Sequence, residues 1–404
     1  MSEATGRLPI ERLSPVPALE QPELPPLEAR GRELLARGKM GCLIAAGGVA
    51  SRLGGETPKG LFPITPVCRK SFFQLFAERG KAASERAGVA LPMAIMTSDS
   101  HLSTVEEHFG SADRFGLDKE QFDLFLQPNL PYLDEAGRPL LDGGGDPIRG
   151  PCGNGASLEA FCKAGLLDKW RKRGVDYLLY LLVDNALADP FDCALLGYHA
   201  NQGVQITLKA VEREAEERTV GLFVLLDGSL RVMEYNEVDP SLFQAREERG
   251  ALLHRYANIS NFIIDLAVVE ELDRQKKWGE LPLHWVEKRQ RIGSVEKVIR
   301  KGEYFIFDLL PFIDRKQLMV AKRCEAFAPL KRMEGPEGVA AVEQALLLSH
   351  RRQYEKVSGV KVADEWMIEL DAAFYYPNEE LLARWQGRKL VDSGFIAADR
   401  VGSP

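Results

Sequence analysis

Short apolar runs alternate with longer amphipathic stretches from residue 40 to about residue 203. The runs at 40–46, 91–96, 122–127 and 177–183 predict strands. Residues 72–87 carry apolar positions at helical spacing, and 101–109 and 154–165 read as further helices. This alternation predicts an α/β fold around a mixed, mostly parallel sheet. Ligands of such sheets lie beyond the carboxyl ends of the strands. The glycines after Ala46 and the carboxylate of Asp184 after Val183 stand at two such ends.

The pattern changes after residue 203. Residues 204–211, 221–226 and 230–235 read as strands, with Asp227-Gly228 as a hairpin signal between the last two. They predict a β-rich insertion running to a strand at 258–265, followed by a helix over 266–276. The apolar run 318–320 is too short to assign as a strand. Residues 337–354 predict a helix, and a small mixed tail begins at 360. At the other end, Pro15, Pro17, Pro22, Pro25 and Pro26 favour an extended path, and 27–37 read as a short helix stopped by Gly38. The expected organisation is an N-terminal extension (1–39), a main domain (40–330) and a small C-terminal domain (331–404).

Composition narrows the function. Of 404 residues, 45% are hydrophobic and 27% charged, enough for a large core. The net charge of −7 argues against a nucleic-acid partner. The six cysteines form no C-x-x-C pair, so neither a zinc site nor a dithiol motif is indicated. No run approaches the roughly 18 apolar residues of a membrane span, and no apolar signal core opens the chain. The expectation is a soluble cytoplasmic protein without membrane partners.

Three stretches carry candidate chemistry. Residues 45–60 read AAGGVASRLGGETPKG. The glycines let backbone N–H groups approach a phosphate, and Arg52 and Lys59 supply positive charge, so the loop reads as a triphosphate cradle. Its spacing fits neither a Walker A loop nor a G-x-G-x-x-G fingerprint. Gly150-Pro151-Cys152-Gly153-Asn154-Gly155 precedes a predicted helix, where Asn154 is either an N-cap or a contact to a base or ribose. Asp184 closes the most apolar strand; it is either a Mg²⁺ ligand beside substrate phosphates or a turn residue. The six histidines show no paired spacing and none is assigned to catalysis, and no G-x-S-x-G elbow is present.

Taken in order, these segments resemble the UDP-sugar pyrophosphorylases, most closely the eukaryotic-type UDP-N-acetylglucosamine pyrophosphorylases. The glycine loop is similar to that family's LAGGxGTRLGxxxPKG. Gln127 lies shortly before Leu130-Pro131, as the family's uracil-contacting glutamine does. Pro151, Gly153, Asn154 and Gly155 match P-x-G-N-G, and Val183-Asp184-Asn185 matches V-D-N. Gly221 matches the glycine of a V-G strand, and Met233-Glu234-Tyr235-Asn236-Glu237 resembles V-E-Y-x-E. Asn258-Ile259-Ser260-Asn261, Phe305-Ile306-Phe307-Asp308 and Pro329-Leu330-Lys331 resemble N-I-x-N, F-V-F-D and P-L-K. Leu13-Ser14-Pro15-Val16-Pro17 is similar to an N-terminal L-x-P-V-P. The resemblance spans most of residues 13–350.

It implies a Rossmann-like nucleotidyltransferase fold, with 40–330 as the catalytic domain. It implies UTP and a sugar 1-phosphate as substrates, a UDP-sugar as product and Mg²⁺ as cofactor. Ala46, Gly47, Gly48, Gln127, Pro151 and Gly153 would seat the nucleoside, with Asn154 and Asp184 near ribose and phosphates. Gly221, Glu234, Asn258 and Phe305 would surround the sugar. Arg52 and Lys59 would clamp the triphosphate, Lys331 would hold the sugar phosphate, and Asp184 would bind the metal. Ala50, Ser51 and Ala156 depart from the family's glycine, threonine and glycine, and both ends are shorter than usual. The expected acceptor is N-acetylglucosamine 1-phosphate. Glucose 1-phosphate or a broad range of sugars is the alternative, and an inactive UDP-sugar sensor is the alternative of another class.

Overall fold

A computed structural model of the protein describes residues 12–48, 57–235, 237, 239–292 and 295–399. Its main sheet has ten strands among those residues. They are β1 (Leu13–Pro15), β2 (Met40–Ala45), β3 (Met93–Thr97), β4 (Phe122–Leu126), β5 (Tyr177–Leu182), β6 (Ile206–Glu212), β7 (Leu222–Leu226), β8 (Ser229–Met233), β9 (Tyr256–Asp265) and β10 (Lys316–Ala321). The centre is parallel: β5, β2, β3 and β4 lie side by side in that order. Antiparallel β9 then joins β5 to β6 and β7, β7 pairs with β1 and β8, and β10 runs parallel to β6.

Alternation along each central strand divides the core into two layers. On β2, Met40, Cys42 and Ile44 face a cluster with Phe72, Phe73 and Phe76 of the helix Phe72–Ala87. Leu43 and Ala45 face the opposite cluster with Phe161 and Trp170. On β5, Leu179 and Leu181 join the first layer, and Leu178 and Tyr180 the second. Strands buried on both faces read as unbroken apolar runs, as doubly covered parallel strands do. The helix Phe72–Ala87 begins at its expected residue, where Ser71 Oγ accepts from Gln74 N, and stops at left-handed Gly88.

Two expectations are corrected. The strands after residue 203 are not a separate insertion: β6, β7, β8 and β9 continue the central sheet. Residues 316–321 do form a strand, because the apolar stretch Leu318–Val320 is only the buried middle of β10. A two-stranded ribbon, His284–Ile292 paired with Val295–Glu303, stands apart from the sheet. Beyond residue 331 the long helix Val339–Ser358 packs Val342 and Leu346 into the main core, while Tyr354 and Val357 open a smaller cluster with Phe374 and Trp385. Among the described residues no helix is long and apolar enough to cross a membrane.

Candidate active site

A cleft of about 1910 Å³ opens along the carboxyl ends of β2 and β5. Gly47, Gly48, Lys59, Gln127, Pro151, Gly153, Asn154, Asp184, Gly221, Glu234, Asn258, Phe305 and Lys331 all line it. The fold therefore gathers thirteen expected site residues from across the chain. Ala46 is not on the wall. It is buried, and its N–H donates to Met96 O at 2.8 Å, so Ala45 and Gly47 face the cleft instead. Arg52, with Ala50 and Ser51, lies outside the described residues.

One end is shaped by backbone. Gln127 is buried, and its Nε2 donates to Gly153 O at 2.5 Å. Gly153 has φ +86, a left-handed conformation suited to glycine. A Cβ on Gly47 would overlap Gln127 Oε1. Gly47→Ala is therefore expected to push Gln127 out of place and raise KM for the nucleotide by ~10-fold, on the order of one lost hydrogen bond. Initial rates at varied nucleotide concentration would test this, and an unchanged KM would remove Gln127 from recognition.

Asn154 differs from its N-cap reading. It opens a single 3-10 turn, and its Oδ1 accepts from Ile306 N at 3.1 Å, across 152 residues of chain. The side chain thus ties the 150–155 loop to the segment carrying Phe305.

In the middle of the cleft the Lys59 ammonium stands 3.1 Å from Asp184 Oδ2. Asp184 caps no helix. Its neighbour Asn185 does the structural work: buried, it donates to Ala326 O at 2.8 Å and accepts from Ala328 N at 2.9 Å. The Asp184 backbone oxygen accepts from Leu330 N at 2.9 Å. These bonds bring Lys331 into the cleft, where its ammonium donates to Glu337 Oε1 at 2.7 Å. Among the described residues no three His, Cys, Asp or Glu side chains converge as a metal cluster. Magnesium uses one or two protein carboxylates and completes its shell with phosphate oxygens and water. Asp184 beside a bound polyphosphate meets that requirement.

The other end is acidic and partly buried. Asn258 sits at a bulge of β9, where its Oδ1 accepts from Ser260 N at 2.9 Å and Ser260 takes φ +53. Asn258 N donates to Gly221 O at 2.8 Å. A Cβ on Gly221 would lie 3.2 Å from Glu234 Oε1. Burial and then the Glu237 carboxylate push Glu234 up to about 7. Glu237 Oε2 accepts from Glu234 N at 2.9 Å. His284 enters from the ribbon and stacks on Phe305, ring centroids 4.3 Å apart. Lys288 and Lys301 of the ribbon also line the cleft. Neither His284 nor the ribbon was among the expected features. No local signal in the sequence marks His284, whose partners Glu237 and Asp308 come from distant segments.

A cleft with Gly47, Gly48 and Gly153, lysines and a strand-end carboxylate on its walls is equipped to hold polyphosphate. Comparison with known proteins decides which kind. Residues 4–379 match the family described as UTP–glucose-1-phosphate uridylyltransferase. The chain belongs to that family. It is accordingly an enzyme of the UTP:sugar-1-phosphate uridylyltransferase kind. A relative from Saccharomyces cerevisiae, UDP-N-acetylglucosamine pyrophosphorylase, is 29% identical over 389 residues, covering 91% of this chain and 80% of the yeast protein. A probable UDP-N-acetylglucosamine pyrophosphorylase of Dictyostelium discoideum is 31% identical over 326 residues, covering 76% of this chain and 67% of its own. The solved structure of a protein described as a UDP-N-acetylglucosamine pyrophosphorylase from Entamoeba histolytica is 25% identical, with a TM-score of 0.77 over 94% of this chain and 98% of that one. That neighbour shares the mixed α/β nucleotidyltransferase architecture.

Proposed function

We propose that the protein joins UTP and N-acetylglucosamine 1-phosphate into UDP-N-acetylglucosamine, releasing pyrophosphate. The single observation that carries this reading is the gathering of Gly47, Gly48, Lys59, Asp184, Glu234, Asn258 and Lys331 on one cleft. The names of the relatives above support the choice of sugar.

In the reaction an oxygen of the sugar phosphate attacks the α-phosphorus of UTP in line. A new P–O bond forms, the bond to the β-phosphate oxygen breaks, and pyrophosphate leaves. The nucleophile is already ionised at neutral pH, so no general base is required. The protein's task is positioning and charge neutralisation. Gly47, Gly48, Gln127, Pro151 and Gly153 seat the uridine, with Asn154 beside the ribose. Arg52 and Lys59 hold the triphosphate, and Lys331 holds the sugar phosphate. Asp184 would hold magnesium with the substrate phosphates, and that ion, when bound, neutralises charge on the leaving pyrophosphate. Gly221, Glu234, Asn258 and Phe305 enclose the sugar. We take residues 40–330 as the catalytic domain, between the extension 1–39 and a C-terminal domain 331–404.

Pyrophosphate release from UTP with a panel of sugar 1-phosphates tests the proposal. N-acetylglucosamine 1-phosphate should give the highest kcat/KM. A preference for glucose 1-phosphate would reassign the acceptor, and UDP-sugar binding without release would make the protein a sensor.

Glu234 supplies a pH signature. Its raised pKa leaves it protonated below about 7 and ionised above. As a carboxylate it accepts a sugar hydroxyl more strongly, by ~1.5–3 kcal/mol for a charged partner. KM for the sugar phosphate should therefore fall as pH rises through about 7. In Glu234→Gln that acid limb should vanish; its persistence would assign the limb to another group.

A further inference from the structure

The imidazole of His284 lies between two carboxylates. Its Nε2 is 2.8 Å from Asp308 Oδ2, and its Nδ1 is 3.4 Å from Glu237 Oε1. A neutral imidazole has one N–H and one lone pair, so it can serve only one carboxylate as a donor. Both carboxylates are answered only when the ring is protonated. The same ring lies face to face with Phe305, at an interplanar angle of 26°. An imidazolium on an aromatic face gains a cation–π attraction that a neutral ring lacks.

We propose that His284 is a positioning residue of the sugar end: as an imidazolium hydrogen-bonded to Asp308 and ion-paired with Glu237, it fixes the ring of Phe305 and the turn that carries Glu234. The inference rests on the proposed sugar subsite and adds the device that assembles it. The chain of contacts is short. His284 holds Glu237, and Glu237 accepts the backbone N–H of Glu234. His284 holds Asp308, which follows Phe305 on the turn Ile306–Phe312. The charged groups facing the ring are Asp308, Glu237 and Glu234, with Lys331 next beyond Glu234. The Asp308 hydrogen bond raises the His284 pKa above the ordinary histidine value against the opposing effect of burial, and the charges of Asp308, Glu237 and, once ionised, Glu234 act in the same direction as that bond. The sugar wall is then complete at neutral pH and loosens as pH rises through the pKa of His284. Phe305 loses its charged partner, and Glu237 loses the cation that holds it beside the Glu234 turn.

Two measurements test this. In the intact protein, the Cε1–H resonance of His284, assigned by its loss in His284→Gln, is followed by NMR from about pH 5 to 9. It should titrate above the ordinary value of about 6.5, and lower in Asp308→Asn. A ring that titrates below that value overturns the proposal. In the kinetic arm, His284→Gln should raise KM for N-acetylglucosamine 1-phosphate by ~10-fold, the scale of a displaced substrate contact. KM for UTP should stay within about twofold, since a displaced sugar wall leaves the uridine seat intact. The rise of sugar KM toward alkaline pH should disappear in this variant, and His284→Lys, which keeps a cation, should recover much of the affinity. An unchanged sugar KM, an alkaline limb that persists in His284→Gln, or an equal rise in both KM values would each overturn the inference. If the wild-type protein releases no pyrophosphate with any sugar 1-phosphate, the assigned reaction fails by itself. Calorimetry of UDP-N-acetylglucosamine binding to wild type and His284→Gln then decides the inference, equal affinities counting against it.

Discussion

Asp184→Ala is expected to lower turnover by ~10³-fold, the upper part of the range seen when one transition-state electrostatic contact is lost. That corresponds to about 4 kcal/mol at ~1.36 kcal/mol per decade. The size follows from where the carboxylate stands. It ends an apolar strand, faces the cleft and pairs at 3.1 Å with Lys59. No cluster of other metal-ligating side chains stands by to replace it among the described residues. The fold should survive the change, because the Leu330 bond uses the Asp184 backbone oxygen and the buried tether belongs to Asn185. The check is pyrophosphate release against magnesium concentration, with circular dichroism as the folding control. Wild type should lose activity on chelation and regain it with added magnesium. A variant that keeps the wild-type magnesium titration would show that the ion is held elsewhere.

Much of this arrangement was legible before the fold was known, and the reasons are local. β2 and β5 are buried on both faces, so their sequences are unbroken apolar runs that announce both the strand and the loop after it. The cleft opens at those ends, and Gly47 and Asp184 line it. The second half of the sheet was harder. A hairpin such as β7–β8 is visible from Asp227-Gly228, but nothing local says which edge it joins, and it reads as an insertion. β10 enters the sheet beside β6, more than a hundred residues away in sequence, and only its middle is apolar. The ribbon 284–303 is dense in charge, with HWVEKRQRI facing VEKVIRKGE, so its alternation is masked by polarity. His284 was invisible for the same reason as the structural role of Asn154. Each is defined by a partner contributed by a distant segment, Glu237 and Asp308 in one case and Ile306 in the other. A lone histidine or an asparagine before a helix has no periodicity that would reveal such a partner.

Removing the other half of the central ion pair should be nearly as damaging. Lys59→Ala is expected to lower turnover by ~10²-fold or more. Two effects add. The ammonium no longer neutralises a triphosphate, and Asp184 keeps its negative charge in the cleft with its partner gone. Repulsion between that carboxylate and the incoming polyanion should raise KM for UTP as well, so both parameters move. Were Lys59 only an anchor for Asp184, UTP binding would recover when both residues are neutralised together, while turnover would stay low for want of the Asp184 carboxylate. Were it a phosphate contact in its own right, Lys59→Ala combined with Asp184→Asn would bind UTP no better than Lys59→Ala alone. Lys59→Arg keeps the charge but replaces a compact ammonium with a planar fork, and should restore only part of the rate. The measurement is UTP affinity by calorimetry, with kcat and KM for UTP, in wild type, Lys59→Ala, Asp184→Asn, their combination and Lys59→Arg at fixed magnesium. Turnover near wild type in Lys59→Ala would remove this residue from the chemistry and leave the glycine loop as the remaining support for the triphosphate. A loss carried by kcat rather than KM would place the lysine's contact in the transition state, on charge that develops as pyrophosphate departs.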